Sequence, residues 1–207
     1  MKTGNKRRPR RRKPKQRRAW QTVEAILDAV IRILKREGFG AITTNHVAEI
    51  AGVSIGSVYQ YFPDKQAIFV ALHGRHISEI DHLMQGALVE HASSPLEDLV
   101  RALVGAMIDA HTNDTELYQL LLTEVPHRAD GTKDFAVRFH EAFRLAIASR
   151  MRKLKGRELG RVVFIVTHMV EALCHGAVLR RPPGLSLADA KKEVVQAVLS
   201  YLRACDG

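Results

Sequence analysis

Ala41-Ile42-Thr43-Thr44-Asn45-His46-Val47-Ala48-Glu49-Ile50-Ala51-Gly52-Val53-Ser54-Ile55-Gly56-Ser57-Val58-Tyr59-Gln60-Tyr61-Phe62 is the stretch that decides the fold. It reads as two short helices joined by a tight turn. Ala48 and Ala51 are small enough to let the helices approach, and Gly52 can take the positive φ that the corner needs. Val47, Ile50, Val53, Val58 and Phe62 are placed to fill the junction. Ser54 supplies an N-cap hydroxyl for the second helix, and Pro63 ends it. The outer side of that helix carries Ser57, Tyr59, Gln60 and Tyr61, whose hydroxyls and amide suit phosphate oxygens and base edges; Gln60 could pair with adenine. Gly56 in a first helical turn costs about 1 kcal/mol against alanine, a cost that makes sense if something must approach its backbone closely.

Working outward, Trp20, Val23, Leu27, Val30, Ile31 and Leu34 recur at helical spacing and predict a helix that Gly38 and Gly40 stop. Before it lies a basic arm. Eleven of the 32 Lys and Arg residues fall within residues 1–18, which hold no acid; the other 21 face 22 Asp and Glu. The chain therefore reads as a near-neutral body with a polycationic segment, disordered when alone and suited to anchoring on phosphates. Residues 41–64 contain no Lys or Arg, so the arm is expected to supply much of the counterion-release component.

The remainder reads as long helices. Asp64 is placed to cap one running to about Val89. Ser94-Pro95-Leu96-Glu97 has the form of a capping box opening a helix to about His111. Asn113, with Glu116 three residues on, opens a short helix to Leu122. Segments 133–155 and 158–179 follow, and Ser186 with Asp189 opens a last helix to about Ala204. The expected fold class is all-α: nine helices, with residues 19–64 forming a three-helix helix-turn-helix domain and residues 65–207 a larger helical domain.

The run Ala51 to Lys65, Ala-Gly-Val-Ser-x-Gly-Ser-Val-Tyr-x-Tyr-Phe-Pro-Asp-Lys, resembles the signature of the TetR family of helix-turn-helix transcriptional regulators, a likeness that covers roughly residues 20–70. The resemblance implies a homodimeric repressor that reads a pseudo-palindromic operator in double-stranded DNA and is relieved by a small-molecule effector. It implies DNA contacts from Thr43, Thr44, Ser54, Ile55, Gly56, Ser57, Tyr59, Gln60, Tyr61 and Lys65. Ile55 departs from the family's frequent lysine or polar residue; a thymine methyl or simple packing are its two readings.

The resemblance also places dimerisation on the helices at about 158–179 and 186–204. The first is apolar nearly all round, as a doubly buried helix must be, and the second has the stripe Val194, Val195, Val198, Leu199 and Leu202. An effector site is expected among residues 95–180, with His111, Tyr118, Phe139, Phe143, His168, Glu171 and His175 as candidates, Phe135 and His140 nearby in sequence, and His73, His76 and Asp81-His82 read as a wet helix face. His168, Glu171 and His175 share one helix face, but their spacing completes no metal set.

No cofactor and no metal is expected. The chain shows no nucleophile–base pair or nucleotide loop, so an enzyme is not expected. Two cysteines, Cys174 and Cys205, are too few for a disulfide framework and suit a reducing cytosol. Val162–Leu179 carries His168, Glu171 and His175, which argues against a membrane span; the expected location is cytoplasmic, at the nucleoid.

Overall fold

The structure is a computed structural model. It describes residues 14–125 and 130–206, with side chains described over 17–125 and 137–206. Among the described residues there are nine α-helices, one short 3-10 turn and no strand: α1 Pro14–Glu37, the 3-10 turn Phe39–Ala41, α2 Thr44–Ala51, α3 Ile55–Tyr61, α4 Lys65–Glu90, α5 Leu96–Thr112, α6 Thr115–Glu124, α7 Asp130–Arg150, α8 Gly156–Leu179 and α9 Leu187–Asp206. The expected all-α class and helix number hold. Two compact units divide at Ile68 and Phe69.

In the first unit, α1 packs on α2 and α2 on α3. Ile26, Val30 and Ile33 of α1 are buried with Ile42, Val47, Val58 and Phe62, each contributing about 1.5–3 kcal/mol by leaving water. Trp20, by contrast, is exposed, so the buried face of α1 begins a turn later than the apolar spacing predicts. The helix itself starts earlier, at Pro14, where proline's fixed φ suits a first helical position. Residues 14–18 of the basic segment are thus helical; the rest of the arm lies outside the described residues.

The second unit is built around α8, which packs on α5, α7 and α9. Leu99, Val104 and Ile108 of α5 meet Ile147 of α7, Val162, Val163 and Val166 of α8, and Val198 and Leu202 of α9. The α9 stripe of Val194, Val195, Val198, Leu199 and Leu202 is buried within this one chain, so it closes the core of its own unit. For α8 a single chain supplies burial on one side, while Phe164 is 53% and Leu173 39% exposed. Among the described residues α8 is the one helix that by length and hydropathy would pass as a membrane span, but Leu159, Val162, Val163, Val166, Cys174 and Ala177 are spent in the core of this unit.

Several boundaries differ from expectation. Ser94 does not cap α5: its hydroxyl bonds His91 Nδ1 at 3.2 Å, while Arg150 donates to the carbonyls of His91, Ala92 and Ser94 at 2.6, 2.9 and 3.0 Å. Glu97 is turned to Arg101 and Arg203 instead. Asp114, not Asn113, caps α6, accepting from Leu117 N–H at 3.1 Å, because Asn113 is still in α-helical geometry at the end of α5. And α7 ends at Arg150 rather than 155. Ser186 caps α9 as expected, accepting from Asp189 N–H at 3.0 Å and donating to its carboxylate at 2.7 Å.

Candidate functional site

The helix-turn-helix is fixed by local chemistry. Thr43 Oγ1 accepts from His46 N–H at 3.2 Å and caps α2. Gly52 ends α2 in the left-handed region at φ 69°, where a side chain would cost about 1–2 kcal/mol. Ser54 Oγ accepts from Ser57 N–H at 3.1 Å and lies 2.8 Å from Ser57 Oγ. Two further clasps bind α2 to α1: Arg32 Nη2 donates to Ile50 O at 2.9 Å, and His46 Nε2 lies 3.0 Å from Glu37 while its Nδ1 lies 3.4 Å from Glu49. Hydrogen bonding to Glu37 first, then Glu49, raises the His46 pKa above the usual imidazole value, because both carboxylates favour the charged ring.

This frame leaves a polar helix face outward. Thr43, Ser54, Ile55, Gly56, Tyr59 and Gln60 are exposed, and Thr44, Ser57, Tyr61 and Lys65 are half-buried. Tyr59 is 53% exposed although its hydroxyl lies 3.2 Å from Thr44 Oγ1. A Cβ at Gly56 would meet nothing nearer than Ser54 Oγ at 3.8 Å, so this chain's own packing does not demand the glycine. The ammonium of Lys65 lies 4.9 Å from the centre of the Phe39 ring.

In the second unit the candidate residues divide into three groups. His111, Tyr118 and His175 come together: His111 stacks on Tyr118 with centroids 3.9 Å apart, and His175 meets both edge-on at 5.2 and 5.3 Å. His76 joins them, its Nε2 3.3 Å from His111 Nδ1. Burial pushes His76 down to about 4 and His111 to about 3, with neighbouring imidazoles adding to the effect, so both rings are neutral at pH 7. Burial also pushes the Tyr118 hydroxyl upward. His111 Nε2 and Tyr118 Oη are buried with no hydrogen-bond partner among the described residues.

Phe139 and Phe143 form the second group, stacked at 5.8 Å beside a void of about 20 Å³. Met84, Val104, Val166 and Val170 also line that void. His168 and Glu171 form the third and are not in the cluster. Both are exposed, and His168 Nδ1 lies 2.8 Å from Phe164 O. Among the described residues no three His, Cys, Asp or Glu side chains are gathered as metal ligands.

His76 does not belong to a wet helix face, contrary to expectation. The signal for its burial is in the sequence: Leu72, His76, Ile80 and Met84 recur every four residues, and all four are buried. Asp81 and His82 flank that stripe; Asp81 accepts from Arg138 at 2.6 Å and His82 is exposed.

A chain of two helical units, the first a helix-turn-helix with its polar face outward, has the architecture of a bacterial regulatory protein. Residues 26–72 match the profile of bacterial regulatory proteins of the tetR family, and residues 95–202 match the tetracyclin repressor-like C-terminal domain. The chain belongs to the TetR family.

It is 41% identical over 56 residues to the HTH-type transcriptional repressor KstR of Mycolicibacterium smegmatis, a match covering 27% of this chain and 28% of KstR. The chain thus spans under a third of KstR's own length. It is 27% identical over 185 residues to the HTH-type transcriptional repressor AcnR of Corynebacterium efficiens, covering 88% of this chain and 93% of AcnR. A solved structure of a protein of unknown function from Rhodococcus sp. RHA1 superposes with a TM-score of 0.68 at 17% identity, over 96% of this chain and 98% of that one; the likeness is one of fold. The families and named relatives matched are regulators, not enzymes.

Proposed function

We propose that this chain is a homodimeric, sequence-specific DNA-binding repressor whose operator binding is relieved by a small molecule held in the second unit. The observation that carries the reading is the outward polar face of α3: Tyr59 and Gln60 are exposed, not consumed by the fold. Thr43 accepts from His46 N–H, so its own hydroxyl proton is available for a phosphate. Thr44, Ser54, Ile55, Gly56, Ser57, Tyr59, Gln60 and Tyr61 form the groove-facing set. Lys65 reaches a phosphate by leaving the Phe39 ring. Two such faces about a two-fold axis, through α8 and α9, read half-sites one helical turn apart, about 34–36 Å, or a multiple of that. An effector acts by binding better to a dimer of the wrong spacing, and only that difference in affinity releases DNA. The protein then acts in the cytoplasm, at the nucleoid.

The test is selection from random duplex DNA with the full chain. Enrichment of an inverted repeat is expected. Tyr59→Ala combined with Gln60→Ala should weaken operator affinity at least about tenfold, in line with base contacts worth about 1–3 kcal/mol each, with thermal stability kept. If no sequence is enriched, or the double variant binds unchanged, the reading fails. Removing residues 1–13 should flatten the dependence of binding on salt, since every phosphate left without a cation lowers the slope by about one; an unchanged slope excludes the arm from the interface.

A further inference from the structure

We infer that the ligand of the second unit is an uncharged amphiphile, with a hydroxyl or carbonyl head set between His111 and Tyr118 and a hydrocarbon body extending toward Phe139 and Phe143. The inference rests on the effector-site reading above and adds the chemistry.

The head position follows from two unpartnered atoms. His111 is 2% and Tyr118 4% exposed, and His111 Nε2 and Tyr118 Oη have no partner among the described residues. Buried polar groups left unpaired are costly, and a hydroxyl or carbonyl oxygen set between them relieves both. Either tautomer works with a hydroxyl. If His111 Nδ1–H donates to His76 Nε2, then Nε2 of His111 accepts; if it accepts from His76, then Nε2 donates. Tyr118 does either.

The head is uncharged because its surroundings are. His76, His111 and Tyr118 hydrogen-bond to no charged side chain among the described residues. The ionisable groups that act on them are His73, His175 and Asp114 at His76, and Glu171, Cys174 and Arg180 at Tyr118. Arg180 is the one guanidinium among these, set against the carboxylates of Asp114 and Glu171, and that balance opposes an anionic head. A cationic head needs a buried carboxylate, and neither is offered: Asp114 accepts from Leu117 N–H and Glu171 is exposed. Among the described residues no three His, Cys, Asp or Glu side chains are placed to hold a metal ion.

The body follows from register. Val104 and Met84 line the void beside Phe139 and Phe143. His111 lies seven residues beyond Val104 on α5, and His76 eight before Met84 on α4. At 1.5 Å per residue the head and the void are about 10 Å apart along the same two helices. Every lining side chain of the void is hydrocarbon or thioether except Thr167, whose hydroxyl is already given to Val163 O and Phe164 O at 2.9 and 3.0 Å. At about 20 Å³ the void is a seam that widens around a chain rather than a preformed chamber.

The experiment is calorimetric titration and thermal shift of the full chain with decanol, decanal, decanoate and decylamine. Decanol or decanal should bind and raise the melting temperature, with decanoate and decylamine at least about tenfold weaker. Tyr118→Phe should weaken affinity for decanol by about 5- to 30-fold, the weight of a hydrogen bond made in a dry site. The ligand-free variant should melt no lower than the parent, because it discards an unpaired hydroxyl; His111→Phe is the second variant. Equal or tighter binding of either charged probe, stoichiometric binding of Zn²⁺, or unchanged decanol affinity in both variants overturns the inference. Release of operator DNA is read separately. Binding without release keeps the ligand class and ends the effector reading, whereas release by an anion with no decanol binding does the reverse.

Discussion

Tyr59 Oη of the recognition helix lies 3.2 Å from Thr44 Oγ1 on the helix before it, and Tyr59 is still half in solvent. The hydroxyl pair therefore aims an exposed phenol without burying it. Thr44→Val and Tyr59→Phe should each weaken operator binding about 3- to 10-fold, while thermal stability changes by less than about 1 kcal/mol, as for a surface site. A double-mutant cycle separates aiming from independent contact. The double variant should be little worse than Tyr59→Phe alone. Fully additive effects would show that Thr44 and Tyr59 touch DNA separately.

Gly56 gives a prediction in which stability and binding part company. No atom of this chain crowds a Cβ there, so Gly56→Ala should stabilise the first unit by up to about 1 kcal/mol through helix propensity. The same methyl stands on the face proposed to meet the groove, and operator affinity should fall by about tenfold or more. The pair of measurements is a melting curve and an operator titration. A variant that melts higher and binds as well as the parent would remove Gly56 from the interface.

Thr44, Tyr59 and Gly56 belong to the part of the molecule that the sequence states most plainly, because its determinants are local. Thr43, Gly52 and Ser54 act within four residues of their partners, and a cap or a left-handed glycine can be read from a short window. The Ser94 cap fails for the opposite reason. Arg150, 56–59 residues away, takes the carbonyls of that turn and sets its geometry, and no local pattern announces it. The effector candidates divide by distance. His168 and His175 share a helix face, but seven residues separate them by about 10 Å along the axis, so only His175 reaches the rings of His111 and Tyr118. His76 is legible through its fourfold register with Leu72, Ile80 and Met84; its polarity alone points the wrong way.

The α8 helix carries a prediction about assembly. Its inner side fills the core of the second unit, while Phe164 and Leu173 stay exposed, and the apolar stripe of α9 is buried in its own chain. The exposed face of α8 carries Arg161, Phe164, His168, Glu171 and Ala172, with Leu173 exposed on another side; large apolar side chains left in water on such a helix are what a mate would cover. Phe164→Glu with Leu173→Glu should convert a dimer to a monomer in sedimentation equilibrium and abolish tight binding to a two-half-site operator. Single half-site binding should be weak but unchanged. A double variant that sediments as a dimer would move the interface off α8.

Acid sensitivity should come from the buried imidazole pair. His76 and His111 are held near 4 and 3, chiefly by desolvation, while the unfolded chain returns each to about 6.5. Between those values the unfolded state binds more protons, so stability is complete above about pH 6.5 and declines as pH falls through the window toward 4. The groups facing the pair set its depth: His73 and His175 disfavour the charge on His76, Asp114 favours it, and Glu171, Cys174 and Arg180 act on Tyr118 beside them. His46 has the opposite sign. Its raised pKa gives stability that is present at low pH and fades as pH rises through the folded value, and the solvent that reaches the ring and both carboxylates keeps that contribution small. The melting temperature of the parent should therefore fall steadily between about pH 6.5 and 4.5, and His76→Phe combined with His111→Phe should flatten that slope. If the double variant destabilises over the same interval as steeply as the parent, the histidine pair is not the source of the acid response.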